Sequence, residues 1–174
     1  MPDTVPDIPL WIAHLPVVGG LAVPWITPRT TDGRYLLGSI DRDRMHQALV
    51  YRWCGVCGRP LDDRLVLLMR LSDLPRQCTN EPALHPQCAA YTAAACPMVS
   101  GKLDHYRSTP VRLDATMAPS SDTSARQGAA AEPWFAVWLR TYRVIPDGDN
   151  LAASYNDISP LRIRSITWSV SGLL

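Results

Sequence analysis

Cys54 and Cys57 stand two residues apart in Cys54-Gly55-Val56-Cys57-Gly58, and His85 and Cys88 repeat that separation in His85-Pro86-Gln87-Cys88. Two thiolates at this spacing can grip one metal ion from a tight turn, and a second pair with the same reach can complete a tetrahedron. Thiolate with imidazole suits zinc, and Gly58 allows a knuckle whose backbone amides reach the sulfurs. The first ligand set is therefore Cys54, Cys57, His85 and Cys88 around a structural Zn2+. A competing set puts Cys78 in place of His85, because the loop between them could bring either side chain in, with the imidazole then standing behind the sulfurs. Cys96 lies two helical turns beyond Cys88 and reads as a small buried side chain. Cysteines packed unligated in a core are the plainer reading of the cluster, and a redox dithiol that of the Cys54/Cys57 pair, although no thioredoxin-like βαβ pattern surrounds it. Four protein ligands leave no open position for water, which argues for a structural rather than a hydrolytic ion. Arg52 and Arg59 flank the knuckle, where they could offset its negative charge or simply be solvated.

The other reactive side chains form no comparable constellation. His14, His46 and His105 are scattered without a nucleophile beside them, and no glycine loop for phosphate is present. The acidic pairs Asp41/Asp43 and Asp62/Asp63 are explained by a helix cap and a turn more simply than by magnesium.

The elements that must carry these residues follow from local pattern. Asp41 can cap a helix running to about Arg52, with Met45, Ala48 and Leu49 inward, which delivers the chain to Cys54. The largely apolar run from Arg64 to Leu71 predicts a buried strand, and Pro75 to Pro82 an irregular connection. Pro86 suits the first position of a short helix over 86–95, which places Cys88 in its opening turn, and Cys96-Pro97 closes it. Before the metal motif, residues 1–32 are rich in proline and glycine and predict an extended arm anchored by Trp11, Leu15, Val17, Val23 and Trp25; Tyr35 to Ile40 is a short strand candidate. After it, 115–133 has little to bury and reads as a flexible loop or linker. Trp134 to Ile145 predicts one strand, Pro146-Asp147-Gly148-Asp149 a turn, and Leu151 to Tyr155 its hairpin partner; beyond Ser159-Pro160 either a helix or a strand over Ile163 to Val170 is open.

These expectations amount to an α+β fold with short helices, a small zinc-stabilised, treble-clef-like core, a C-terminal β-hairpin and an extended N-terminal arm. The arm and metal core occupy 1–114, the loop 115–133, and a β-rich segment packing on the core 134–174. The length of 174 residues suits one ordinary domain. A net charge of +1 gives no global basic field, so nucleic acid is not the default partner. Five cysteines, four of them with His85 between Cys54 and Cys88 and the fifth just beyond at Cys96, fit a reducing compartment with metal better than a dispersed disulfide framework. No basic leader precedes the first apolar residues, and Leu10 to Val23 is broken by His14, Pro16, Gly19 and Gly20, so a host-cytoplasm location is expected.

The order of these motifs resembles a family of uncharacterised zinc-binding proteins of bacteriophages and actinobacterial mobile elements. The resemblance lies in Gly20 to Trp25, Thr31-Asp32-Gly33, Cys54-Gly55-Val56-Cys57-Gly58, Cys78-Thr79-Asn80-Glu81-Pro82, His85-Pro86-Gln87-Cys88-Ala89 and Cys96-Pro97, and more weakly in Trp138 to Tyr142 and Trp168. The chain departs in the Ala/Ser-rich insertion after Arg112 and in stopping soon after Trp168. The resemblance implies a phage-type zinc-binding fold and carries no activity. The functional expectation is a non-enzymatic protein that binds a macromolecular partner, preferably protein. Nucleic-acid binding through Arg107, Arg112, Arg140, Arg143, Arg162 and Arg164 near Trp134, Trp138 and Tyr142 is the alternative, and a His-Asn-His-like nuclease a weaker one, because His105 follows the helix and no histidine-bearing hairpin precedes it.

Overall fold

The computed structural model describes residues 5–108 and 126–166, and every structural statement below refers to them. The segment 115–125 of the expected loop, Arg112 and Trp168 lie outside these residues.

Eight strands and two α-helices make a mixed α+β fold. A two-stranded ribbon of β1 (Val17–Val18) and β2 (Leu21–Ala22) precedes α1 (Arg42–Tyr51). One sheet has the order β3 (Leu65–Arg70), β5 (Trp134–Leu139), β8 (Arg162–Ser165), and the other the order β4 (Cys78–Thr79), β7 (Asn150–Ser154), β6 (Arg143–Asp147). All pairings are antiparallel. The second helix, α2 (Pro86–Ala95), follows β4.

The β3 strand organises the core. All six of its residues are buried because both faces are covered, which is why the run from Leu65 to Met69 is continuously apolar rather than alternating. Side chains alternate across a strand. Val66 and Leu68 therefore face a cluster with Cys54, Cys57, Cys88, Ala89, Tyr91 and Trp134, while Leu65, Leu67 and Met69 face Met45 and Leu49 of α1 with Val137, Tyr142 and Tyr155. Complete burial of each such leucine favours the fold by about 1.5–3 kcal/mol.

Helix α1 begins where expected: Asp41 lies in extended geometry and its carboxylate accepts the Arg44 N–H at 3.0 Å. It ends at Arg52, which turns left-handed at φ 56° and sends the chain into the metal motif. Met45, Ala48 and Leu49 are its buried face. In α2, Pro86 occupies the first turn and Cys96 is the C-cap.

Four sequence expectations need correction. Tyr35 to Ile40 is not a strand; Tyr35 makes one bridge to Arg29, and Gly38 at φ +83° turns the chain toward α1. Trp134 to Ile145 is not one strand but two, β5 and β6, in different sheets. The break comes at Tyr142, whose hydroxyl donates to the Leu49 carbonyl at 2.8 Å while Arg52 donates to the Tyr142 carbonyl at 2.8 Å and lies over the ring. Pulling that ring inward against α1 redirects the backbone out of the first sheet. The 75–82 connection contains β4, whose Cys78 pairs with Ser154. In the arm, the expected anchor Val23 is fully buried and so is Ile12, while the expected anchors Trp11 and Val17 stay 42% and 53% exposed; a 3-10 turn over Leu10–Ile12 points only one of its apolar residues inward. Beyond Pro160 the described chain is strand, β8, rather than helix.

Strands β6 and β7 form the expected hairpin, turning at Gly148 with φ +60°. Of the 115–133 segment, 126–133 is tied to the body: Glu132 accepts the Ser72 N–H at 2.9 Å and pairs with Arg126 at 3.3 Å. No helix among the described residues is long and apolar enough to cross a membrane.

Candidate metal centre

The Cys54–Cys57 turn is a hairpin tip. A bridge between Trp53 and Pro60 closes it, Cys54 N–H donates to the Arg59 carbonyl at 2.8 Å, and Gly58 N–H donates to the Cys54 carbonyl at 2.8 Å. Closing the turn so tightly puts Gly58 at φ +70°, a conformation that side-chain-bearing residues rarely adopt. A Cβ at Gly58 would also stand 2.7 Å from the Trp25 ring. The glycine is required twice, once by the turn and once by the tryptophan laid over it.

The second pair reaches the knuckle through α2. Val66 and Leu84 bond each other's backbones in both directions at 2.9 Å, which brings the end of the irregular connection alongside β3. His85 then forms the N-cap and Cys88 falls in the first turn. The His85 ring makes no capping hydrogen bond because it is turned into the cluster. The positive end of the helix faces the sulfurs, which favours thiolates there.

Cys54, Cys57, His85 and Cys88 are all buried, and one donor atom from each lies within 4.8 Å of all the others. A tetrahedron with the usual zinc–sulfur and zinc–nitrogen bond lengths has edges of roughly 3.5–3.8 Å. Cys57 Sγ and His85 Nδ1 are 3.4 Å apart. His85 Nε2 lies 2.9 Å from the Pro60 carbonyl, an oxygen that can only accept, so Nε2 carries the hydrogen and Nδ1 presents its lone pair to Cys57. Orientation of a ligating imidazole by a backbone carbonyl on its other nitrogen is the usual support for a metal-bound histidine.

The electrostatics match this arrangement. Cys57 is held far below the ordinary thiol range, first by its hydrogen bond with Cys54, then by Cys88, with the Arg59 amide and His85 adding to the effect. Cys88 is pushed up, first by its hydrogen bond to Cys54 and then to Cys57, and Cys54 is raised chiefly by Cys57. Without a cation, the three sulfurs can share only part of the negative charge that three thiolates would carry. A divalent ion is the group that lets all three ionise together in a buried space. The donor set and its geometry fit a metal ion.

The remaining candidates fall elsewhere. Cys78 is buried in β4, where Arg76, Asp147 and Asp73 surround it, and its thiol is pushed up by burial. It is not one of the clustered donors, so His85 rather than Cys78 stands with the three other cysteines. Cys96 is half-buried at the end of α2. Arg52 is drawn away to Tyr142, and Arg59 is exposed. Asp62 approaches the outer nitrogen of His85 only to 3.8 Å and is mostly exposed, while Asp63 faces Arg140 at the same distance. His105 is exposed beside Asp104 at 3.1 Å.

Three contributors were not legible in the sequence. Pro60 acts through its carbonyl, and a backbone atom leaves no residue signature. Trp25 covers the knuckle from the arm, its backbone N–H donating to the Val56 carbonyl at 2.8 Å and the backbone N–H of Ile26 to the Gly55 carbonyl at 3.2 Å. Tyr91 holds the arm from α2, accepting the Ala22 N–H at 2.9 Å. The only available hint was Gly58 itself, a position where something must approach closely.

Comparison of the chain with protein-family models, with curated proteins and with solved structures found no match. The metal centre therefore rests on its own geometry.

Proposed function

We propose that this is a non-enzymatic protein of phage or mobile-element type, built around one structural zinc ion, that acts by binding another macromolecule, preferably a protein. The observation that carries the zinc reading is the buried set of three sulfurs and one imidazole nitrogen, with Nε2 of His85 committed to the Pro60 carbonyl. Soft thiolates with one imidazole favour zinc over the harder divalent cations. When bound, the ion would supply crosslinking of the knuckle to α2, not Lewis-acid chemistry, since four protein donors fill a tetrahedron. A knuckle followed by a helix-borne pair is the treble-clef plan. Here the intervening β3 takes β5 as its sheet partner and meets Leu84 through a single bridge.

Two observations favour a protein partner. Leu10 at 91% exposure, with Trp11, Val17 and Val18, leaves apolar surface on the first part of the chain. The aromatic rings that nucleic-acid stacking would use are largely withdrawn: Trp134 and Tyr142 are 5% and 4% exposed, each with an arginine of the protein already over its face.

Elemental mass spectrometry on the native protein tests the metal reading. One zinc per chain is expected, lost in Cys54→Ser and His85→Ala and kept in Cys78→Ser and Cys96→Ser. A native protein without metal refutes it. A screen against DNA and RNA at two salt concentrations tests the partner class: tight, steeply salt-dependent binding supports nucleic acid instead.

A further inference from the structure

We infer that the outer edge of β8 is a docking site for an extended acidic segment of a partner protein, which adds to the sheet as a fourth strand. The inference rests on the reading of this protein as a partner-binding domain and names the chemistry of the partner.

The direction of the backbone groups follows from the register. Trp134 pairs with Ile166 through the Ile166 N–H at 2.8 Å, and the β5–β8 register continues as Ala136 with Arg164 and Trp138 with Arg162. Hydrogen-bonded pairs alternate in an antiparallel ladder. The N–H and C=O groups of Arg162 and Arg164 therefore point at β5, and those of Ile163 and Ser165 point away from it. The same alternation holds on the far side of β5, where Leu71 N–H bonds the Pro133 carbonyl and Phe135 and Val137 face β3. The other edge of this sheet is already used, since Val66 of β3 exchanges both its bonds with Leu84. Among the described residues nothing pairs with the outer side of β8.

The side chains specify what could pair there. All four residues of β8 are exposed, Ile163 by 44%, and Leu161 just before it by 48%. Arg162 and Arg164 lie on one face of the strand and have no ion-pair partner among the described residues. Arg140, just after β5, and Arg143, at the start of β6, engage Asp63 and Asp157 only at 3.8 Å, with all four side chains more than 60% exposed. A second copy of β8 laid antiparallel would set arginine against arginine, and like charges directly opposite are unfavourable. The edge is thus guarded against its own copies yet complementary to a strand with acidic residues opposite Arg162 and Arg164 and an apolar residue opposite Ile163.

The test is fluorescence anisotropy of the metal-loaded full chain with three labelled probes: a peptide carrying Glu-Val-Glu-Val-Glu, its lysine counterpart, and oligo-deoxythymidine. The glutamate peptide is expected to bind and the lysine peptide not to. Ile163→Pro removes one outward N–H without touching the β5 ladder, and edge strands tolerate proline at such positions. It is expected to weaken the glutamate peptide about tenfold or more, with circular dichroism and metal content unchanged. Arg162→Glu with Arg164→Glu is expected to reverse the preference toward the lysine peptide. No glutamate-peptide binding, equal binding of both peptides, or indifference to both variants overturns the inference; so does oligonucleotide binding that outcompetes the peptide. If the peptide fails while a host protein is captured equally by native and Ile163→Pro chains, the edge is refuted and the partner-binding reading stands. If neither peptide nor protein binds, both fall.

Discussion

Replacing Gly58 by alanine probes the join between arm and knuckle in one atom. Two independent costs are built into that position. At φ +70° an L-residue pays for left-handed geometry, about 1–2 kcal/mol. The new methyl would also lie 2.7 Å from Cγ and Cδ1 of Trp25, well inside contact distance. That ring has little room to retreat. Trp53 meets it edge-on at 5.7 Å, Arg44 lies over it at 5.5 Å, and Arg44 Nη1 donates to the Trp25 carbonyl at 2.7 Å. Overpacking of this kind costs about 1–3 kcal/mol, so the sum for Gly58→Ala is about 2–5 kcal/mol. Urea denaturation of the metal-loaded protein measures it, and zinc loss to a competing chelator reports whether the knuckle is distorted as well. A double-mutant cycle separates the two costs. In a Trp25→Ala background the clash is absent, and Gly58→Ala should cost only the left-handed part, about 1–2 kcal/mol. A destabilisation below about 1 kcal/mol in the native background, or an equal cost with and without Trp25, refutes the packing argument.

Leu67→Ala should destabilise the fold by about 2–5 kcal/mol by opening a cavity between β3 and α1, read from the shift in urea midpoint at constant m-value. Asp41→Ala removes the cap that binds the Arg44 N–H and should cost about 0.5–2 kcal/mol, while Asp41→Asn should recover most of it. Burial raises the Tyr142 hydroxyl from 10.0 to about 12, so the folded state prefers the neutral phenol. That preference is fully present below pH 10 and is lost as pH rises through about 12, a span of at most about 3 kcal/mol. Stability measured between pH 9 and 12 should fall in the native protein more steeply than in Tyr142→Phe. Metal retention should fail at the opposite end, because acid returns protons to three thiols and an imidazole; titration with a chromophoric zinc indicator should show release as pH falls, beginning at higher pH in His85→Cys if the imidazole is the better-suited fourth donor.

The parts of the fold and site legible beforehand share one property: their cause is local. Asp41 caps because its own carboxylate reaches an amide three residues on. Pro86 starts α2 because its missing N–H costs nothing there. The clustering of Cys54, Cys57, His85 and Cys88 was legible because the C-x2-C and H-x2-C spacings are set by the reach of two adjacent side chains around one point. Val23 anchors the arm as expected, but Trp11 was misjudged because hydrophobicity says that a residue can be buried, not which side of a 3-10 turn faces inward; its neighbour Ile12 took that place. The single strand expected from Trp134 onward failed for a related reason. Its β-propensity is real on both sides of Tyr142, but a hydroxyl bonded to Leu49, distant in sequence, redirects the chain.

The two thiol and imidazole pairs, the two helices and the fully buried strand were all readable from the sequence, because each follows from interactions spanning a few residues. Tertiary packing brought His85 rather than Cys78 beside the other three cysteines, because that outcome depends on where β4 carries Cys78 and on a carbonyl of Pro60 that no side chain announces. It also decided that Trp25 covers the knuckle and that, among the described residues, the outer edge of β8 is unpaired. Such outcomes depend on contacts between segments far apart in the chain, and those contacts are settled by the joint packing of all of them.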